Sequence, residues 1–384
     1  MSRQAPPQRI DRIVTLDGFR ALAILGVLAF HYTVRWVPPD DVPPHLSVIS
    51  PLARFIPFEY GWTGVQLFFV ISGFVILMTL KRCRSALDFA CRRFARLWPA
   101  LIVAASLTTM VVNLFGPPDW KVSVPDFATS LTLIEPSAFA LAGLHVHWVD
   151  SAYWTLWVEL QFYVVVGALY FLGGRHFLKI WLACQALVAI CAPFLPVALL
   201  DVLTLPPQLP FFTVGLCVFE LWSGAGDRKL ALGGALAAGA LVLYQAGRVP
   251  TGFDAHSPVL LADLAIFALF WLFLIDHPIL KPIQAKPMVV LGQASYSLYL
   301  IHQEIGIVLL RHLSRIPFLV ALALVFAVCL ATSIVLFRWV ELPAKRWLLR
   351  KMIMRGRLSH AAAVDSAMPR PLPMAGAADT SKVV

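Results

Sequence analysis

Arg20 and His31 lie eleven residues apart in one apolar run, TLDGFRALAILGVLAFHYTVRW. At 3.6 residues per turn this is just over three turns, so both side chains share nearly one face, about 16 Å apart along the axis. Glu159, in YWTLWVELQFYVVVGALYF, and His302, in VVLGQASYSLYLIHQEIGIVLL, are also ionisable groups inside apolar runs. Charge is expensive in such surroundings and marks function by default. If the runs cross a bilayer, His31, Glu159 and His302 fall at similar depth. A histidine and a carboxylate at one level can perform general acid–base chemistry. The plainer readings are that Arg20 snorkels, His31 sits at an interface, and His302 hydrogen-bonds another helix.

A second group is basic. KRCRSALDFACRRFARLWPA places Arg93 and Arg96 at i, i+3, on one helical face, with Arg92 adjacent. Guanidinium pairs suit polyphosphates, whose oxygens they bind bidentately. The plain alternative is a positive-inside anchor. Glu220 and Asp263 lie near run ends and read as packing or interfacial groups, and Glu304 could face the outer surface. Ser72, among Gly61, Gly64 and Gly73, reads as packing, because a membrane span is the wrong context for a nucleophile elbow. His145 and His147 have metal-like spacing but no further ligands in view, so no metal site is expected.

The elements that position these groups follow from composition. Of 384 residues 59% are hydrophobic and 14% charged, with mean hydropathy +0.78. A soluble domain has about 25% charged residues. The chain therefore reads as an all-α, polytopic transmembrane helix bundle, which excludes disorder, collagen and a disulfide scaffold. Runs near the ~20 residues needed to span a bilayer predict about ten spans: 16–36, 61–80, 97–116, 153–173, 178–200, 209–223, 230–247, 258–275, 288–310 and 317–338. Segment 126–143 holds Asp126, Glu135 and Pro136 and reads as a loop or re-entrant helix. With the N-terminus inside, the outer segments carry only Arg35, Arg54, Lys121, Arg248, Arg311 and Arg315 of the 31 Lys and Arg. That bias predicts both termini in the cytoplasm and makes nucleic acid unnecessary as the reason for the +10 charge. The expected organisation is a cytoplasmic segment 1–13, a membrane domain 14–347 and a disordered tail 348–384, without a signal peptide. The six cysteines show neither a disulfide framework nor zinc-ligand spacing.

Several segments, in order, resemble the acyltransferase 3 family of integral membrane O-acyltransferases (OafA/YrhL type). LDGFRALAILGVLAFHY is similar to its first-helix motif, with Arg20 and His31 in the Arg and His positions. GVQLFFVISGFVI resembles the second-helix signature, and CRRFARLWPA the R-x-x-R segment at Arg93 and Arg96. WTLWVELQFY places the family glutamate at Glu159. GQASYSLYLIH resembles the ninth-helix segment, and RWVELPAKRW the closing E-x-P segment. The matches run from about 14 to 347. Leu156, Trp157 and Leu160 stand where members often have Ser or Glu, which lowers local polarity. The absence of an SGNH-type domain after the last span leads to the expectation of a stand-alone enzyme in a bacterial inner membrane.

The resemblance implies transfer of an acyl group, often acetyl, from cytoplasmic acyl-CoA to a hydroxyl of a sugar, surface polysaccharide or lipid-linked acceptor. Acyl-CoA would be a co-substrate, with no permanently bound cofactor. In that scheme Arg92, Arg93 and Arg96 hold CoA phosphates. His31 takes the hydroxyl proton, and Glu159 orients or charge-balances it. Arg20 neutralises the donor or Asp17, one turn away. Tyr153, Trp154 and Tyr296 are candidate oxyanion donors, and His302 is a further candidate. The outer segments 37–60 and 117–152, with Asp40, Asp41, Trp120, His145, His147 and Asp150, would shape the acceptor site. Buried charges serve transport too, so an exporter of a polar or lipid-linked glycoconjugate is the competing reading, although the repeated halves typical of transporters are not evident. A structural scaffold would explain the spans but not the His and Glu residues.

Overall fold

The computed structural model describes residues 13–35, 56–191, 194, 205–246 and 256–351. The described residues fold into helices and connecting turns. Helix α1 (Val14–Phe30) continues through a π-helical turn, His31–Arg35. It is followed by α2 (Gly64–Leu80) and α3 (Ala86–Phe115), then two short helices, α4 (Val124–Ser130) and α5 (Pro136–Ala140). The rest are α6 (Trp154–Gly173), α7 (Phe177–Cys191), α8 (Leu205–Ser223), α9 (Arg228–Ala246), α10 (His256–Leu274), α11 (Lys286–Tyr299), α12 (Gln303–His312) and α13 (Phe318–Leu336). A second π-helical turn, Phe337–Glu341, carries α13 on to Lys351.

The expectation of about ten spans is corrected. Among the described residues six helices are long and apolar enough to cross a membrane, or seven if the bent pair Val259–Leu274 and Pro278–Gln284 forms one span. The overcount has physical causes. Segment 288–310 is broken between α11 and α12, each shorter than a bilayer. In α8 the apolar run is diluted by Pro206, Pro207, Gln208, Pro210 and Glu220. Helices α6 and α7 follow one another so closely that Ser151–Cys191 forms a single apolar stretch. The termini expected in the cytoplasm, residues 1–12 and 352–384, lie outside the described residues, as do Asp40 and Asp41.

The bundle is organised around α8, which packs most extensively on α2 and α9, and around α1, which packs on α11 and α2. Phe19, Phe74, Phe162 and Phe212 are fully buried in the shared core. In lipid, close packing rather than water exclusion holds helices together, and small residues permit it. Gly73 faces the Phe212 backbone, and Gly215 faces the Val70 carbonyl and the Phe74 amide, so α2 and α8 touch main chain to main chain. Gly292 likewise lets α11 approach the Asp17 carbonyl of α1. A Gly215→Leu variant places carbon against backbone that cannot rotate away. It should lose about 1–3 kcal/mol, seen as an apparent Tm several degrees lower in detergent.

The break between α11 and α12 exposes main-chain carbonyls inside the bundle. Irregular backbone at such depth is tolerated only where protein groups satisfy it. Here the Tyr153 hydroxyl donates to Leu300 O (3.2 Å), the Tyr32 hydroxyl to His302 O (2.7 Å), and the His302 Nδ1 lies 2.7 Å from Tyr299 O. The start of α12 is fixed from the loop side. Asp150 Oδ2 accepts from the Glu304 amide (3.2 Å), and Glu304 Oε1 accepts from the Ser151 hydroxyl (2.9 Å). Burial first, and Glu304 second, push the Asp150 carboxyl well above the usual carboxylate range.

Candidate active site

Five helices converge on one cavity of about 120 Å³ in which charged and polar groups meet among apolar walls. Helix α1 supplies Arg20, α2 Ser72, α3 Arg93 and Arg96, α6 Glu159 and Tyr163, and α11 Tyr296 and Tyr299. The i, i+3 spacing of Arg93 and Arg96 does put both on one face, and that face is inward. Ser85 accepts from the Asp88 amide at the start of α3 and so helps fix that register. Arg92 points elsewhere: its Nε donates to Asp88 Oδ1 at 2.7 Å, and it does not line the cavity.

Each charge in the cavity has a defined environment. Arg20 Nη1 lies 3.0 Å from Asp17 Oδ1, and Asp17 is buried. Glu159 Oε1 accepts from Ser72 Oγ at 2.8 Å and from the Tyr163 hydroxyl. Arg96 pairs with Glu341, whose other oxygen accepts from Ser297 Oγ at 3.0 Å, and its guanidinium lies 4.7 Å from the Tyr296 ring centre. Arg93 sits between the Phe89 and Tyr163 rings, at 5.7 and 5.6 Å, and makes a long contact to Thr79 Oγ1, 3.4 Å. Its Nε is buried without a hydrogen-bond partner. Among the cavity guanidinium groups, Arg93 therefore carries a buried donor left unsatisfied by the protein.

The structure does not bring His31 to Glu159. His31 instead meets His302, with ring centres 5.0 Å apart and edge to face. Equal depth fixed the level of each residue but not its azimuth: Glu159 faces Ser72 and the arginines, one turn from Tyr163. The histidine pair adjoins the cavity across Tyr299. Tyr299 lines the cavity, its hydroxyl oxygen accepts from the Thr155 hydroxyl at 2.9 Å, and its ring centre lies 5.2 Å from that of His302.

Near the histidines a second, more polar vestibule of about 490 Å³ opens. Arg35 ends the turn that begins at His31, and Gln303 follows His302; both line it, as do Trp120, Asp126, His147 and Glu304. The His147 amide donates to Asp126 Oδ1 at 2.7 Å. Among the described residues no group of three or more His, Cys, Asp or Glu is placed to hold a metal ion.

The oxyanion candidates fare poorly. The Tyr296 hydroxyl is committed to Leu97 O (2.9 Å), Tyr153 to Leu300 O, and Trp154 lies outside the cavity, 37% exposed. Two cavity groups were given no site role by the sequence reading. Ser72, read as packing, is a ligand of Glu159. Tyr163 was legible as i+4 from Glu159. Glu341, the glutamate of the closing E-x-P segment, does not line the cavity but holds Arg96 there from 245 residues away, a pairing that no local pattern could reveal.

A family model described as an acyltransferase domain matches residues 13–338. The peptidoglycan O-acetyltransferase OatA of Listeria monocytogenes is 26% identical over 339 residues, covering 76% of this chain and 49% of that protein. Acyltransferase MdmB of Streptomyces mycarofaciens is 27% identical over 198 residues, 49% of this chain and 48% of that protein. O-acetyltransferase OatA of Staphylococcus aureus is 29% identical over 108 residues, 27% of this chain and 14% of that protein. The chain thus spans about half the length, or less, of these curated relatives. No solved structure matches.

Proposed function

Because the chain belongs to the acyltransferase 3 family, we propose that it is a membrane O-acyltransferase. It would move an acyl group, acetyl in the first instance, from cytoplasmic acyl-CoA to a hydroxyl of a sugar, surface polysaccharide or glycosylated or lipid-linked acceptor in a bacterial inner membrane. The relatives named as O-acetyltransferases support this choice of group and acceptor class. The observation that carries the proposal is the cavity itself: Arg20, Arg93, Arg96 and Glu159 converge beside an imidazole pair, separated from it by Tyr299.

In this reading the donor enters at the end of the bundle marked by Lys81, Arg82, Arg84 and Arg92, a cluster of basic side chains that would attract an anionic acyl-CoA. Its phosphates engage Arg93, whose Nε has no protein partner, while Arg96, held by Glu341, adds charge and rigidity. Glu159 balances the guanidinium cluster rather than orienting His31. The thioester passes Tyr299 to reach the histidine level, and the acceptor enters from the vestibule. His31 removes the hydroxyl proton. The oxygen attacks the thioester carbonyl, the C–S bond breaks, and the departing thiolate regains a proton from the imidazolium as CoA-SH.

Arg93→Ala tests the donor assignment. Losing a charge-assisted hydrogen bond should raise donor KM about tenfold or more, with acceptor KM little changed, when CoA thiol release is followed in membranes. An unchanged donor KM would remove Arg93 from the phosphate site.

A further inference from the structure

His302 is fully buried, and its Nδ1 lies 2.7 Å from the Tyr299 carbonyl oxygen. A carbonyl only accepts, so Nδ1 must carry the hydrogen. In the neutral ring Nε2 is then a lone pair, and that atom is buried with no hydrogen-bond partner. The neighbouring imidazole, His31, has the complementary gap: its Nδ1 is also buried and unpartnered, and the two ring centres are 5.0 Å apart. Orphaned buried nitrogens are rare, and each requires an explanation. Two of them on adjacent rings have a common one.

We propose that His302 is the positioning residue of His31, resting on the assignment of His31 as the base. Through its fixed lone pair His302 accepts a hydrogen bond from the Nδ1–H of His31, directly after a small ring rotation or across one water. This holds His31 in the tautomer whose lone pair is on Nε2. The chain of groups is Tyr299 carbonyl, His302, His31, acceptor hydroxyl. His302 stands where a carboxylate orients the histidine in serine hydrolases, and the Tyr299 carbonyl fixes His302 from behind. The break between α11 and α12 thereby acquires a purpose, since it turns His302 toward α1 and supports the Tyr299 carbonyl just before it.

His302 is suited to replacement because the Tyr32 hydroxyl bonds its main-chain oxygen, which every variant keeps. His302→Phe retains a ring but removes the lone pair, while His302→Gln restores an acceptor oxygen. Diethyl pyrocarbonate, which attacks an imidazole lone pair, reports on His31 by mass spectrometry without requiring turnover. His31 should be modified in the parent protein, about tenfold more slowly in His302→Phe, and near the parent rate in His302→Gln. In turnover, His302→Phe should lose about 100-fold in kcat at unchanged donor KM, and His302→Gln should recover at least tenfold of that loss. Equal modification rates in all three proteins, or equal kcat losses in the two variants, would overturn the proposal. A parent protein that releases no CoA would refute the acyltransferase assignment instead, and the modification rates would still decide the role of His302.

Discussion

Replacing His31 by alanine should reduce acyl transfer by two to four orders of magnitude, the usual worth of a positioned general base. The loss should fall on kcat. His31 lies just over three turns from Arg20 and does not line the cavity that holds Arg93, Arg96 and Glu159, so donor KM should stay within about twofold of the parent. The fold should tolerate the change, because the residues that lock α1 to its neighbours are Gly26, Tyr32 and the backbone at Asp17, not His31. Turnover at matched expression, followed as CoA thiol release, is the check. Parent-like turnover would exclude His31 from the chemistry.

The second large effect concerns Arg96. Its pair with Glu341 is mostly buried, with side-chain exposures of 23% and 5%. Removing one member of a buried pair strands the other charge and costs about 3–5 kcal/mol. Arg96→Ala should therefore lower the apparent Tm in detergent by many degrees and abolish activity. Removing both charges should behave differently. Arg96→Met with Glu341→Gln leaves no stranded charge, and Ser297 can still donate to the amide oxygen, so most of the lost stability should return. Activity should not return, because the cavity would lack one of its cations. Recovery of activity with stability would reduce the pair to a structural role.

The sequence made some of this site readable and hid the rest for identifiable reasons. Arg20, Arg93, Arg96 and Glu159 stood out because ionisable groups in apolar runs are costly, and helical spacing correctly put Arg93 and Arg96 on one face. His31 and Glu159 were paired on depth alone, yet depth gives no azimuth, and the fold turns them to different partners. Arg92, adjacent to Arg93, is rotated away and held by Asp88. The break after Tyr299 was invisible: SYSLYLIHQEIG contains no proline, and its only glycine, Gly306, lies beyond the break. The interruption is stabilised by Tyr32 and Tyr153, hydroxyls from distant helices, so local pattern could not reveal it. The same break made one span of what the structure builds as two short helices.

Transport remains the competing use of a polar cavity in a membrane bundle, and one experiment separates it from catalysis. The purified protein is reconstituted in liposomes with acetyl-CoA and a sugar acceptor, and both CoA-SH and acetylated acceptor are quantified. Catalysis predicts equal amounts of the two products, abolished by His31→Ala. Movement of the acceptor across the bilayer with no thioester consumed would contradict it.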